Sequence, residues 1–267
     1  MAQFDYKING NDLQYIHVRL NTGQQVIAEQ GAMMFAEEHI TIDTVLGDGS
    51  DSRFGVIGRF INAVKRSYTG ESMFSSIYLN DSDSPQTLGI AAPGPGEIIP
   101  VNLDEQGGSI ICQKSAYLAG ERGQKIQLAF QKRLRVGFFG GEGFIMQKIS
   151  GQGIVFIHAS GTLKQVALGP NQKLKVDVGC LVGMSSSVRY DIKYAGKLKT
   201  GLFGGEGLFY ATVTGPGTVW MQSLPLKRLS KILMTAAITG RGYGSSLGKL
   251  YLIGIIVFVI LTLFIGD

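Results

Sequence analysis

Three carboxylates stand where chemistry could be done. Glu142 lies in "FGGEG" (Phe139–Gly143), Glu206 in an identical "FGGEG" (Phe203–Gly207), and Glu71 follows "YTG" in a looser version of the phrase. A carboxylate set among Gly140, Gly141 and Gly143, or among Gly204, Gly205 and Gly207, could act as a general base or as part of an acidic binding ring. It could also accept hydrogen bonds from backbone N–H groups orphaned by a neighbouring tight turn. A general base needs an acid or nucleophile beside it. No histidine, serine or cysteine recurs at a fixed offset from the three glutamates. The residue types therefore favour the backbone-bonding role, and no enzymatic activity is expected.

Other sites of chemistry are sparse. The three histidines (His17, His39, His158) are scattered, and the two cysteines (Cys112, Cys180) form no CxxC, so neither a metal site nor a cofactor is expected. Both thiols are expected to be buried, as small hydrophobes in a reducing compartment. No GxSxG, HExxH or phosphate-loop sequence occurs. "GDGSDS" (Gly47–Ser52) and "NDSDS" (Asn80–Ser84) lack calcium-loop spacing and read as solvated acidic loops. Twenty-five basic against twenty acidic residues give a net charge of +5, too mild to call for nucleic acid. Basic residues do precede each glutamate phrase (Lys65 and Arg66; Arg133 and Arg135; Lys197 and Lys199), with Tyr68, Phe138, Phe139 and Phe203 after them. The alternative function is accordingly an RNA- or small-ligand-binding module that uses these basic and aromatic surfaces.

The elements that must position the glutamates are strands. Glycine is abundant (38 residues) and proline scarce (7), with the glycines set between short apolar runs. Glu142 and Glu206 lie 64 residues apart, and so do Ala116 and Cys180. Before them, Ile126, Leu128 and Phe130 alternate with polar residues, as do Tyr190, Ile192 and Tyr194 at the same offset, which predicts strands with one wet face. Leu174, Val176 and Val178 show the same period of two. A third copy starts near Ala32. Its glutamate comes 39 residues later rather than 26, so it carries an insertion of about 13 residues around residues 45–60. No stretch before Leu224 has a helical period, and the body is expected to be all-β.

The carboxyl end differs. Residues 250–265, "LYLIGIIVFVILTLFI", contain no charge and include Leu250, Ile253, Ile256, Phe258, Leu261 and Phe264. A helix of this length spans about 25 Å, at the short end for a bilayer. Lys227, Arg228, Lys231, Arg241 and Lys249 precede it, which predicts a tail anchor with the β-domain on the cytoplasmic face of the membrane. Leu226, Leu229 and Leu233 fall on one face of an expected amphipathic helix over 224–238. The glycines of "GRGYGSS" (Gly240–Ser246) supply a hinge. "MAQFDYKINGND" carries no charged region followed by an apolar run, so no secretory leader is expected in it.

The three degenerate units, their "GGEG" phrases, the "GPG" turn and the link "APGPGEIIPV" resemble the AIM24 family over roughly residues 1–226. The resemblance implies three tandem β-sandwich repeats similar to the tryptophan RNA-binding attenuation protein, a short form of double-stranded β-helix. It also implies homotrimers. Fungal members are tied to organisation of the mitochondrial inner membrane; bacterial members have no settled activity. The tryptophan and RNA sites of the attenuation protein have no matching motif here. The expected organisation is repeat 1 with its insertion (1–103), repeat 2 (104–168), repeat 3 (169–225), a basic amphipathic helix with a glycine hinge (226–249) and a transmembrane tail (250–267). The expected protein is a non-enzymatic scaffold whose partners are the lipid bilayer and its own copies, with nucleic acid not the expected partner.

Overall fold

The computed structural model describes residues 4–46, 74–132, 144–194, 209–225, 228–230 and 233. By its contacts the chain divides into Met1–Pro225 and Leu226–Asp267. In the first unit the described residues form strands joined by turns and two short 3-10 turns. In the second, residues 228–230 and 233 are helical.

The first seven strands are β1 (Asp5–Asn9), β2 (Tyr15–Leu20), β3 (Gln25–Glu29), β4 (Met33–Ala36), β5 (Ile40–Leu46), β6 (Phe74–Asn80) and β7 (Gln86–Ala91). Six more follow: β8 (Gly96–Asn102), β9 (Ser109–Gln113), β10 (Tyr117–Glu121), β11 (Lys125–Lys132), β12 (Phe144–Ser150) and β13 (Ile154–Ser160). The last six are β14 (Leu163–Leu168), β15 (Lys173–Asp177), β16 (Leu181–Ser185), β17 (Arg189–Tyr194), β18 (Phe209–Thr214) and β19 (Gly217–Gln222). All observed pairings are antiparallel.

The strands make four sheets. The first has the order β1-β2-β7-β4, the second β5-β6-β3-β10-β13-β8, the third β11-β12-β9-β16-β19-β14, and the fourth β15-β18-β17. Adding six to each strand number of the second sheet gives the third. A bulge recurs at matching places: Met33/Phe35 on β4, Tyr117/Ala119 on β10 and Leu181/Gly183 on β16.

Three cores alternate with these sheets. Ile16, Val18 and Leu88 of the first sheet meet Val26, Leu118 and Phe156 of the second. Val101, Tyr117 and Ile157 of the second meet Ile110, Cys112 and Trp220 of the third. Met146, Leu181 and Val219 of the third meet Val176, Ile192 and Val213 of the fourth. The second and third sheets are thus covered on both faces. Their central strands must then be apolar without alternation, and the sequence "IVFIHAS" of β13 shows this. Phe156 turns into the first core while Val155 and Ile157 turn into the second. By contrast, β2 alternates: His17 and Arg19 are exposed, whereas Ile16, Val18 and Leu20 are buried.

One sequence expectation needs correction. Ile126, Leu128 and Phe130 do not share a face. Pairing with β12 slips between Leu128 and Phe130, so Ala129 forms a bulge. The extra residue rotates the rest of the strand by one position. Ile126 packs on the second core, Phe130 on the third, and Leu128 is left 44% exposed.

Phe156 is fully buried, 4.9 Å edge-on from the Tyr6 ring and 6.2 Å from Phe4. Truncating such a side chain leaves a cavity that a two-sided sheet cannot collapse to fill. Phe156→Ala is expected to cost about 3–5 kcal/mol in urea unfolding, whereas Leu128→Ala, at an exposed position, should cost under about 1 kcal/mol.

Candidate functional site

The residues that the sequence singled out fall largely beyond what can be described. Glu71, Glu142, Glu206 and the glycines Gly140, Gly141, Gly143, Gly204, Gly205 and Gly207 lie outside the described residues. So do Lys227, Lys231, Arg241, Lys249 and the whole of residues 250–267. Arg228 lies in the helical residues 228–230, and Leu233, also helical, is 60% exposed. Among the described residues no helix is long and apolar enough to cross a membrane, and no cluster of three His, Cys, Asp or Glu could hold a metal.

Among the described residues, three side chains at matching places accept hydrogen bonds from backbone N–H groups at strand starts. Glu37 accepts the Thr87 backbone N–H at 2.6 Å, Glu121 that of Ile154 at 2.7 Å, and Ser185 that of Thr218 at 3.0 Å. These acceptors stand at or just beyond the ends of β4, β10 and β16. In each case the donor is at the start of the neighbouring strand in the sheet. Each bond satisfies an amide that the ladder leaves over. The sequence hid this set because serine replaces glutamate in the last member.

Burial disfavours the charged forms of the buried titratable groups. Burial pushes the Cys112 thiol up to about 12, so it packs as a hydrophobe, as expected. Cys180 departs from expectation: it is half-buried at the flank of the third core. Burial also raises the Glu29 carboxyl, an effect that the nearby Lys114 opposes. His158 is 3% exposed and its Nε2 has no hydrogen-bond partner. Burial lowers its affinity for a proton, and a hydrogen bond with the Gly94 backbone opposes this in part.

Among the described residues, large apolar side chains are exposed singly on the inner sheets, at Ile42 of β5 and Leu128 of β11, and as a run at one edge of the first sheet. In the first sheet β4 is an edge strand, and its Met33, Met34 and Phe35 are 41%, 58% and 37% exposed. The Phe35 ring lies over Gly89, where any Cβ would overlap it, and its centroid is 6.0 Å from that of His17. In the fourth sheet β15 is the edge, with Lys173 exposed and Lys175 Nζ 5.4 Å from the Tyr210 ring centroid. Other cations on this sheet are engaged locally: Arg189 donates to Asn171 Oδ1 at 3.3 Å, and Lys193 lies 3.4 Å from Asp191. Three consecutive large apolar residues followed by two glutamates, "MMFAEE", was the signal available in the sequence. It is not the pattern of a strand with one face in water.

The family model described as mitochondrial biogenesis AIM24 matches residues 6–224. An uncharacterised protein of Streptococcus pyogenes serotype M6 is 27% identical over 220 residues, covering 82% of this chain and 84% of that protein. A crystal structure of another Streptococcus pyogenes protein superposes with a TM-score of 0.68 at 22% identity, covering 87% of this chain and 99% of that one, so the fold is shared.

The environment of His158 has a consequence for pH. The folded chain holds this imidazole neutral, while the unfolded chain titrates near the ordinary value of 6.5. Between those two values the unfolded state binds more protons, so stability is full above about pH 6.5 and falls as the solution is acidified. Urea unfolding at a series of pH values between about 7.5 and 5 should show this loss. His158→Gln should flatten the acid limb, since Gln222 fills the matching place on β19 and bonds the Ser160 N–H and the Gly179 carbonyl there.

Proposed function

The chain belongs to the AIM24 family, and from that premise we propose that it is a non-enzymatic, membrane-anchored β-scaffold that assembles as a homotrimer and serves membrane organisation. The observation that carries this reading is the sharing of sheets. Strands β2–β7, β8–β13 and β14–β19 occupy matching places in the strand order, and the second and third sheets each take three strands from one block and three from the next. This supports three tandem units; the blocks divide just before β8 and β14, a few residues ahead of the limits at 103 and 168 expected from the sequence. A unit so built cannot close alone: the second and third sheets each draw half of their strands from the neighbouring unit. The polar groups support a structural rather than a catalytic role, since Glu37, Glu121 and Ser185 are used to cap strands.

Membrane attachment rests on the sequence of residues 250–265 and on the basic residues before it. A single short tail holds weakly, and three on one assembly would multiply that hold. The β-domain would then stand at the cytoplasmic face. A protein lacking residues 250–267 is expected to move from the membrane pellet to the supernatant on fractionation, with its β-sheet circular dichroism unchanged. If the truncated protein still sediments with membranes and resists a salt wash, the tail is not the anchor.

A further inference from the structure

Each of the first two junctions between units is closed in the same manner. Strand β10 pairs with β3, matching Ala119 with Ala28, Gly120 with Ile27 and Glu121 with Val26. Strand β16 pairs with β9, matching Gly183 with Cys112, Met184 with Ile111 and Ser185 with Ile110. In both cases the entering strand reaches into the core of the unit before it, with Leu118 and Ala119 in the first core and Val182 in the second; Leu118 and Val182 are each 1% exposed. An aromatic ring from the adjoining strand follows, Phe156 in the first core and Trp220 in the second.

Among the described residues the third core has no such visitor. Of the described residues, eight partly buried hydrophobic ones flank it, Leu174, Cys180, Tyr190 and Phe209 among them, against six for the first core and two for the second. Strand β15, which holds the place of β3 and β9, pairs only with β18 among the described residues and so ends its sheet. Strand β4 holds the place of β10 and β16, bulge included, and it too is an edge. Met34 stands where Leu118 and Val182 stand, yet it is 58% exposed. Gly89 stands where Phe156 and Trp220 stand, and the ring lying over it is that of Phe35.

We infer that β15 of one copy pairs antiparallel with β4 of a second copy, matching Val176 with Phe35, Lys175 with Ala36 and Leu174 with Glu37. This rests on the self-assembling scaffold proposed above and supplies its contact. The register is the one that the two internal junctions share. In it the second copy's Met34 enters the third core, and its Phe35 covers the place that Phe156 and Trp220 fill elsewhere. One step further along, Lys173 faces Glu38. The matching internal position is held by the Arg122 N–H donating to the Gln25 carbonyl at 3.3 Å. The edge sequences "KLKVD" and "MMFAEE" are of opposite charge where they meet. The contact joins two different edges, so it must close into a ring or continue as a fibre.

The test uses the full-length protein in detergent. Residues directly opposite on paired strands lie about 4.5–5.5 Å apart, within reach of a disulfide. Ala36→Cys with Lys175→Cys in one chain should give covalent multimers under mild oxidation. Either substitution alone should not, and the two single variants mixed should give only a joined pair. Two further sets of variants need no cysteine. Met34→Asp should raise the concentration at which the assembly half-dissociates by roughly tenfold or more. Glu38→Lys should weaken the assembly, and adding Lys173→Glu should restore it. An intact assembly that neither cross-links nor responds to Met34→Asp and the charge reversal overturns this strand pairing while leaving the scaffold reading standing. A mass of one chain at every concentration overturns both.

Discussion

The constraint on which this fold depends is that a sheet lying between two cores must be apolar on both faces. The second and third sheets obey it along β13 and β19, where Phe156 and Trp220 turn toward one core and Val155 and Val219 toward the next. Burial of this kind is worth about 25 cal/mol per Å² of apolar surface, and a sheet buried on both faces gains it twice per unit of backbone ordered. The cost is that such a strand has no solvent face on which polar residues are tolerated. His158 and Ser160 are the buried polar residues of β13, and burial favours the neutral form of His158, whose Nε2 is unpartnered.

From that constraint follows the treatment of the junctions. Where β9 meets β16, Gly183 approaches so closely that a Cβ would lie 3.1 Å from Cys112 Cβ and from the Ile111 carbonyl oxygen. A small residue is required on one side of the seam and an apolar one on the other. The amides left over at the starts of β7, β13 and β19 are taken up by Glu37, Glu121 and Ser185, which tie β4, β10 and β16 to the next strand of their own units. The two end sheets meet the same physics without a neighbour. The outer face of the fourth sheet carries Lys173 and Lys175, and that of the first sheet His17 and Arg19, while β4 keeps the apolar residues of a seam strand.

Much of the architecture was legible in the residues. The 64-residue offset located matching strands, because Tyr117 with Leu181, and Ala119 with Gly183, hold the same bulge. The period of two in "QKLKVDVG" placed Leu174, Val176 and Val178 on the third core. Periodicity misled at β11, because a bulge at Ala129 changes the face of Phe130 without altering the local composition. The backbone-capping set was hidden by the change from glutamate to serine at residue 185. The glycine-flanked glutamates drew attention by repetition, and they lie outside the described residues. For β4 the sequence carried half of the signal: "MMFAEE" is not the pattern of a strand with one face in water, but it does not say that the strand lies at an edge.

The central claim is that every strand at a unit junction is paired and covered, whether by its own chain or by another copy. Amide hydrogen exchange on the assembled full-length protein tests it most directly, because edge amides exchange quickly and ladder amides slowly. The account predicts slow exchange at β4 and β15, comparable with β10 and β16. Rapid exchange at β4 and β15 beside slow exchange at β10 and β16 would contradict it.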